Sequence, residues 1–168
     1  MLFRTRQFHA VKATEKDIPA IRRIESMPEN RDFVFQYSEK EHQAFMQTPG
    51  HVTLLFYMGE ELLGYALITT DEKNRSLELR RIALSHTGLG YGRELMHGIQ
   101  SWAFEELGIH RLWLDAFEDN RRAIHLYESM GYVYEGRLRD TVHSDGVFRS
   151  QLVYSLLEDE YKTLKEIS

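Results

Sequence analysis

Between Leu77 and Phe117 the chain sets two apolar strands around a glycine-rich loop and a helix-like run. That order restricts the fold more than any other stretch. "LELRRIAL" (Leu77 to Leu84) reads as a strand, and His86 to Gly92 as the loop. Leu95, Ile99, Trp102 and Ala103 mark one face of a helix ending near Gly108, and "RLWLDAF" (Arg111 to Phe117) reads as the next strand. A strand, a helix and a second strand form a right-handed crossover with the two strands parallel.

The segments around this unit read as antiparallel. His9 to Ala13 suggests a first strand, followed by a cap at "TEKD" and a helix carrying Ile18, Ile21 and Ile24, stopped by Pro28. A second cap, "SEKE" (Ser38 to Glu41), opens a helix through about Gln47 that "TPG" ends. Val52 to Tyr57 and Leu62 to Thr70 form a hairpin through "MGEE", and with "LELRRIAL" a meander. After "RLWLDAF" come a short helix (about Arg121 to Met130), a Gly131 cap, and two alternating strands, Tyr132 to Asp140 and Phe148 to Leu157, around "SDG". "EELG" and "EDEYKTLKE" read as exposed helix faces. The expected architecture is mixed α/β: a mostly antiparallel sheet with one parallel pair in its middle. No linker, repeat or low-complexity tract interrupts it, so residues 1–168 read as a single domain.

Composition narrows the function. A net charge of −5 argues against a nucleic-acid partner, which needs a basic face to replace phosphate counterions. The absence of cysteine excludes disulfides, thiolate zinc sites and a cysteine acyl-enzyme within this chain. The eight histidines show no H-x-x-x-H or H-E-x-x-H spacing, so no metal site is expected. The amino terminus lacks a signal-peptide stretch and no apolar run approaches membrane-spanning length, so the expectation is a cytoplasmic protein without membrane contact.

Gly88, Gly90 and Gly92 occupy alternate positions before the helix. A nucleoside-triphosphatase loop needs Gly-Lys-Ser/Thr at its end, but Arg93 and Glu94 follow Gly92. A dinucleotide fingerprint needs G-x-G-x-x-G spacing and a doubly wound sheet. A plain turn needs one or two glycines. The favoured reading is an anion cradle: free N–H groups at the positive end of a helix can meet a pyrophosphate only where no Cβ intervenes. Arg93 could add a charge-assisted bond there.

Downstream, "NRRAIHLYESMGY" places Asn120, Ala123, Tyr127, Gly131 and Tyr132 in a fixed frame. Together, "LELRRIALSHTGLGYGREL" and "DAFEDNRRAIHLYESMGYVYEGRLRD" resemble the acetyl-CoA-binding core of the GNAT superfamily of N-acetyltransferases. The resemblance covers about residues 8 to 157 and is tightest from Leu77 to Asp140. Thr87 stands where the family usually carries Arg or Gln, which removes one side chain from the phosphate end and leaves the backbone cradle.

The resemblance implies a three-layer fold, helices on both faces of the sheet, in which the parallel strands splay and admit the pantetheine arm of acetyl-CoA. Ile82, Ala83 and Leu84 would pair with the arm's amides, and Gly88, Leu89, Gly90, Tyr91, Gly92 and Arg93 would hold the pyrophosphate. Asn120, Ala123 and Tyr127 would border the other side. It further implies direct attack of a primary amine on the thioester, without a covalent enzyme intermediate. Tyr127 matches the tyrosine that protonates the departing thiolate. Glu78 and Asp115 are the two candidates for the base, with Glu78 slightly preferred because many relatives place a glutamate on that strand.

Acceptor choice, by the same resemblance, belongs to "SMPENRDFVFQYSEKE" and "RDTVHSDGVFRS". The first offers Phe33, Phe35 and Tyr37 with Glu25, Asp32 and Glu39, a set that suits an organic cation or equally an ordinary core. The layout resembles bacterial RimJ/RimL-like and RimI-like protein acetyltransferases as much as small-molecule ones, and such relatives are often homodimers. The alternative reading is a non-catalytic acyl-CoA-binding regulatory module, which could dispense with Tyr127 and the acids.

Overall fold

The computed structural model describes residues 1–168. In chain order the elements are β1 (Phe3–Arg4), β2 (His9–Lys12), α1 (Ile18–Glu25), α2 (Glu39–Gln47), β3 (His51–Met58), β4 (Glu61–Asp71) and β5 (Ser76–Leu84). There follow α3 (Tyr91–Ser101), β6 (Arg111–Phe117), α4 (Arg121–Ser129), β7 (Val133–Ser144), β8 (Val147–Leu157) and α5 (Glu158–Ile167). A single turn of 3-10 helix precedes α1, and α3 runs on into a π-helical turn over Trp102–Glu106.

Local chemistry sets the helix starts as expected. At α2 the Ser38 hydroxyl accepts the Glu41 N–H at 3.2 Å and the Glu41 carboxylate accepts the Ser38 N–H at 2.6 Å, a reciprocal cap. At the turn before α1 the Asp17 carboxylate accepts the Thr14 N–H at 2.8 Å. The "SDG" turn closes the β7–β8 hairpin with both Asp145 and Gly146 at positive φ.

All eight strands lie in one sheet, in the order β1-β2-β3-β4-β5-β6-β8-β7. Every neighbouring pair is antiparallel except β5 and β6. That parallel pair is short: only Ser76–Arg111, Leu77–Leu112 and Glu78–Trp113 match, and the strands then part. Beyond Glu78, β5 stays with β4 as far as Leu84, while β6 stays with β8 as far as Phe117. The sheet is thus two halves joined at one end and open at the other. The opening has a local cause. Register against β4 shifts between Leu79 and Arg81, leaving Arg80 as an extra residue, and a bulge bends its strand.

Apolar residues cover both faces. The larger core joins Leu95, Met96 and Ile99 of α3, the π-helical turn and Tyr127 and Met130 to the sheet. The smaller one packs Ile21 and Ile24 of α1 and Phe45 of α2 against Leu55, Tyr65 and Leu67. The bulge flips the side-chain parity of β5: Leu77 and Leu79 face the larger core before it, Ile82 and Leu84 pack on that core after it, and Ala83 turns to the smaller one. The carboxy-terminal "EDEYKTLKE" is helical as expected, yet not simply solvated. Tyr161 stacks on Phe104 with ring centroids 4.7 Å apart, so one face of α5 is docked. No helix is long and apolar enough to cross a membrane.

Candidate active site

The gap between β5 and β6 opens into a cleft of about 210 Å³. One wall is β5 from Leu79 to Leu84, and the other is Asp115, Ala116 and Phe117 of β6. The glycine loop and the amino-terminal turn of α3 close one end. Residues of α4 and of the α1–α2 connection cover the rest.

Gly88 and Gly90 hold φ of +80° and +78°, conformations that a side chain strains. Gly92 has no such requirement. A Cβ there would meet only Leu126 Cδ2, at the ordinary contact distance of 3.7 Å. Packing therefore does not call for glycine at 92, whereas an anion approaching the first N–H groups of α3 does. The parted strand edge offers β5 backbone groups that no neighbouring strand pairs, as an amide-bearing arm requires. These features fit the pyrophosphate and pantetheine of acetyl-CoA.

Most of the residues singled out from sequence meet in this cleft: Ile82, Ala83 and Leu84 on one wall, and Gly88, Gly90, Tyr91 and Gly92 at the end. Asn120, Ala123 and Tyr127 line it from the β6–α4 side, and Asp115 joins them from β6. Asn120 also starts α4, its side-chain oxygen accepting the Ala123 N–H at 3.3 Å. Three residues fall outside the lining. Leu89 points to solvent at 60% exposure. Arg93 gives its guanidinium to the Ser129 hydroxyl at 2.5 Å rather than to the cradle. Glu78 sits at the closed apex, where Thr69 donates to it at 3.1 Å.

Electrostatics separates the two carboxylates. Burial, with the Glu78 charge adding to it, raises the Asp115 carboxyl from 3.8 to about 6, while Arg80 pulls the other way. Its nearest donor is Gln151, whose Nε2 lies 3.3 Å away. Arg111, on the same strand, pairs with Glu135 and not with Asp115. Tyr127 is buried against Tyr132 and Tyr154, with centroids 5.9 and 6.1 Å away. Burial and then the Asp115 charge push its phenol well above the usual range, so it stays protonated.

Sequence reasoning passed over several members of the site. Arg122 lines the cleft from α4 and brings a cation to a site whose loop has Thr87 instead of a basic residue. Its signal was its place inside "NRRA". His86, an exposed loop residue, also lines the cleft, with its Nδ1 2.9 Å from Ser85 Oγ. Glu25, grouped with the aromatics as a possible attraction for a cation, is 1% exposed and engaged with Arg81 at 3.2 Å.

Comparison with known proteins agrees with this geometry. The sequence profile of the acetyltransferase (GNAT) family matches residues 18–132. The chain belongs to the GNAT family. A spermidine N(1)-acetyltransferase of Vibrio cholerae is 31% identical over 101 residues, which are 60% of this chain and 58% of that protein. A putative ribosomal N-acetyltransferase of Bacillus subtilis, YdaF, is 29% identical over 109 residues, 64% and 60% of the two chains. The matched stretch thus spans less than two thirds of either relative. A crystal structure of a putative acetyltransferase superimposes with a TM-score of 0.82 at 26% identity, covering 98% of this chain and 93% of that one. The splayed parallel pair and the two-sided helix cover are the GNAT fold.

Proposed function

We propose that this chain transfers the acetyl group of acetyl-CoA to a primary amine by direct attack within a ternary complex. The observation that carries the reading is the parting of β5 from β6 after Glu78, with Tyr127 and Asp115 both lining the gap and the glycine cradle at its end. When bound, acetyl-CoA supplies the activated acyl carbon and the thiolate that leaves. The residues supply the proton transfers. An alkyl ammonium, with a pKa of roughly 10, must lose its proton before it can attack. Asp115 lines the cleft and its carboxyl, near 6, is mostly ionised at neutral pH, so it accepts that proton before the nitrogen attacks; the second proton, shed by the nitrogen as the amide forms, replaces the one given to sulfur. Glu78, at the apex and outside the lining, supports Asp115 by keeping its basicity high. Tyr127 holds a proton for the sulfur as the C–S bond breaks. The burial that keeps the phenol protonated also makes a thiolate beside it more basic.

The test is a panel of amines, including spermidine, amino acids and amino-terminal peptides of ribosomal proteins, read by thiol release from acetyl-CoA. At least one should be turned over. Tyr127→Phe should lower kcat for that amine by about 100-fold or more, with coenzyme A affinity by calorimetry nearly unchanged. Full retention of kcat would remove Tyr127 as the acid. Binding of coenzyme A with no amine turned over would favour the regulatory-module reading.

A further inference from the structure

We propose that the buried Glu25–Arg81 pair is a positioning device: it fixes where the Phe33–Tyr37 segment stands over the cleft and thereby governs acceptor choice. Its kinetic consequence rests on the acetyl-transfer reading above.

Glu25 ends α1 inside the smaller core, and its carboxylate touches four other parts of the chain. Oε1 accepts from the Tyr65 hydroxyl of β4 at 2.7 Å and from Arg81 Nη1 of β5 at 3.2 Å. His42 Nε2 of α2 lies 2.6 Å from the same oxygen, off the line of a hydrogen bond. Oε2 accepts the Tyr37 N–H of the α1–α2 connection at 3.2 Å. Glu25, His42, Tyr65 and Arg81 are all buried. An ion pair removed from water gives little or no stability over well-packed apolar residues of the same volume. What it gives instead is direction, because each oxygen and each N–H has a fixed line of approach.

Here the direction is spent on a segment with no helix or strand of its own. Between α1 and α2 the chain runs through turns, and Phe33, Val34 and Phe35 from that stretch line the cleft. It is tied to β5 from both sides. Asn30 Nδ2 donates to the Leu84 carbonyl and to Ile24, each at 2.9 Å. The Arg81 guanidinium lies 4.3 Å from the Tyr37 ring centre and 5.8 Å from that of Phe35. Phe35 in turn meets Phe117 edge-on at 5.6 Å, on the far wall of the cleft. A planar cation held by Glu25 on one half of the sheet thus sets the height of an aromatic bridge to the other half. Neither member of the pair is assigned any contact with the reacting atoms, so their role is positional.

Three variants separate position from stability. Arg81→Lys keeps the charge opposite Glu25 but loses the planar, delocalised guanidinium that reaches two rings at once. Glu25→Gln keeps hydrogen-bonding atoms and removes the charge. The double variant Glu25→Leu/Arg81→Met fills the space with apolar groups but leaves the Tyr65 hydroxyl and the Tyr37 N–H without their acceptor, so its Tm should fall, though by less than that of Glu25→Ala, which also strands the Arg81 cation. The expectation for Arg81→Lys and the double variant is a rise in acceptor KM of about fivefold or more, a smaller fall in kcat, and coenzyme A affinity within about twofold. Relative rates across the amine panel should change as well. Hydrogen exchange of residues 27–37 in the free protein should quicken in both, while β4 amides keep their protection.

A double variant with parental KM, panel selectivity and exchange overturns the proposal. So does a uniform loss of kcat, KM and coenzyme binding that simply follows Tm, which is what a purely structural pair would give. If the parent acetylates no amine, the acetyl-transfer reading has failed on its own account, and the exchange measurement still decides whether the pair holds the segment.

Discussion

At Asp115, burial and the neighbouring Glu78 raise the carboxyl to about 6, well above its unfolded value near 3.8. Between those two values the folded chain binds a proton that the unfolded chain has released. This contribution to stability is therefore full below the unfolded value and is lost as pH rises through about 6. At neutral pH the ionised group destabilises the fold, and Asp115→Asn should relieve that by on the order of 2–3 kcal/mol, seen as a higher denaturation midpoint at pH 7.5. The same substitution should remove most amine turnover. In the parent, kcat/KM should climb with pH and level off above about 6 for the Asp115 limb. A variant neither more stable nor less active would mean that Asp115 is an ordinary wall residue. Glu25 makes the opposite case. Its removal alone leaves Arg81 buried and unpaired, so Glu25→Ala should lose about 3–5 kcal/mol in urea unfolding.

Among the elements, the start of α3 separates what the fold needs from what a ligand needs. Gly90 is left-handed, so Gly90→Ala should cost about 1–2 kcal/mol of stability as well as coenzyme affinity. Gly92 lies inside the helix with room for a methyl group. Gly92→Ala should therefore keep or raise stability by up to about 1 kcal/mol while weakening coenzyme A binding. Calorimetry and thermal melts on the pair check this. Equal coenzyme affinity in Gly92→Ala and the parent would take the pyrophosphate out of the cradle. The strand before this loop also explains what was legible. In "LELRRIAL" the apolar parity changes from Leu77 and Leu79 to Ile82 and Leu84, and the two arginines between them mark the bulge that opens the cleft. That signal was present and went unread. The capping boxes, the hairpins and the Asn120–Tyr127 frame were readable because their determinants lie within a few residues of each other. Two-residue β1 has no periodicity to read. The Glu25 cluster joins positions as far apart as 25 and 81, which pattern in one dimension cannot bring together.

Over the whole molecule, the sheet's division into β1–β5 and β6–β8 halves makes the cleft the place where the two halves meet least. Arg149 spans that boundary at its mouth. It lies 3.5 Å over the Phe117 ring, donates to the Asp32 carbonyl at 2.8 Å and pairs with Asp119 at 2.9 Å. A ligand that fills the gap supplies the cross-strand contacts the protein lacks there, and so binds the folded chain alone. Coenzyme A at about 100 times its Kd should then add about 2.7 kcal/mol, which for a chain of this size is a rise in Tm of roughly 5–10 °C. Hydrogen exchange should slow most in Leu79–Leu84, in the glycine loop and at the start of α3, and little at Ser76–Glu78, where the strands are already paired. Slowing spread evenly over both halves, or centred on α1 and α2, would mean that the nucleotide binds elsewhere. The wedge between β5 and β6 would then be a feature of the fold without the chemistry assigned to it.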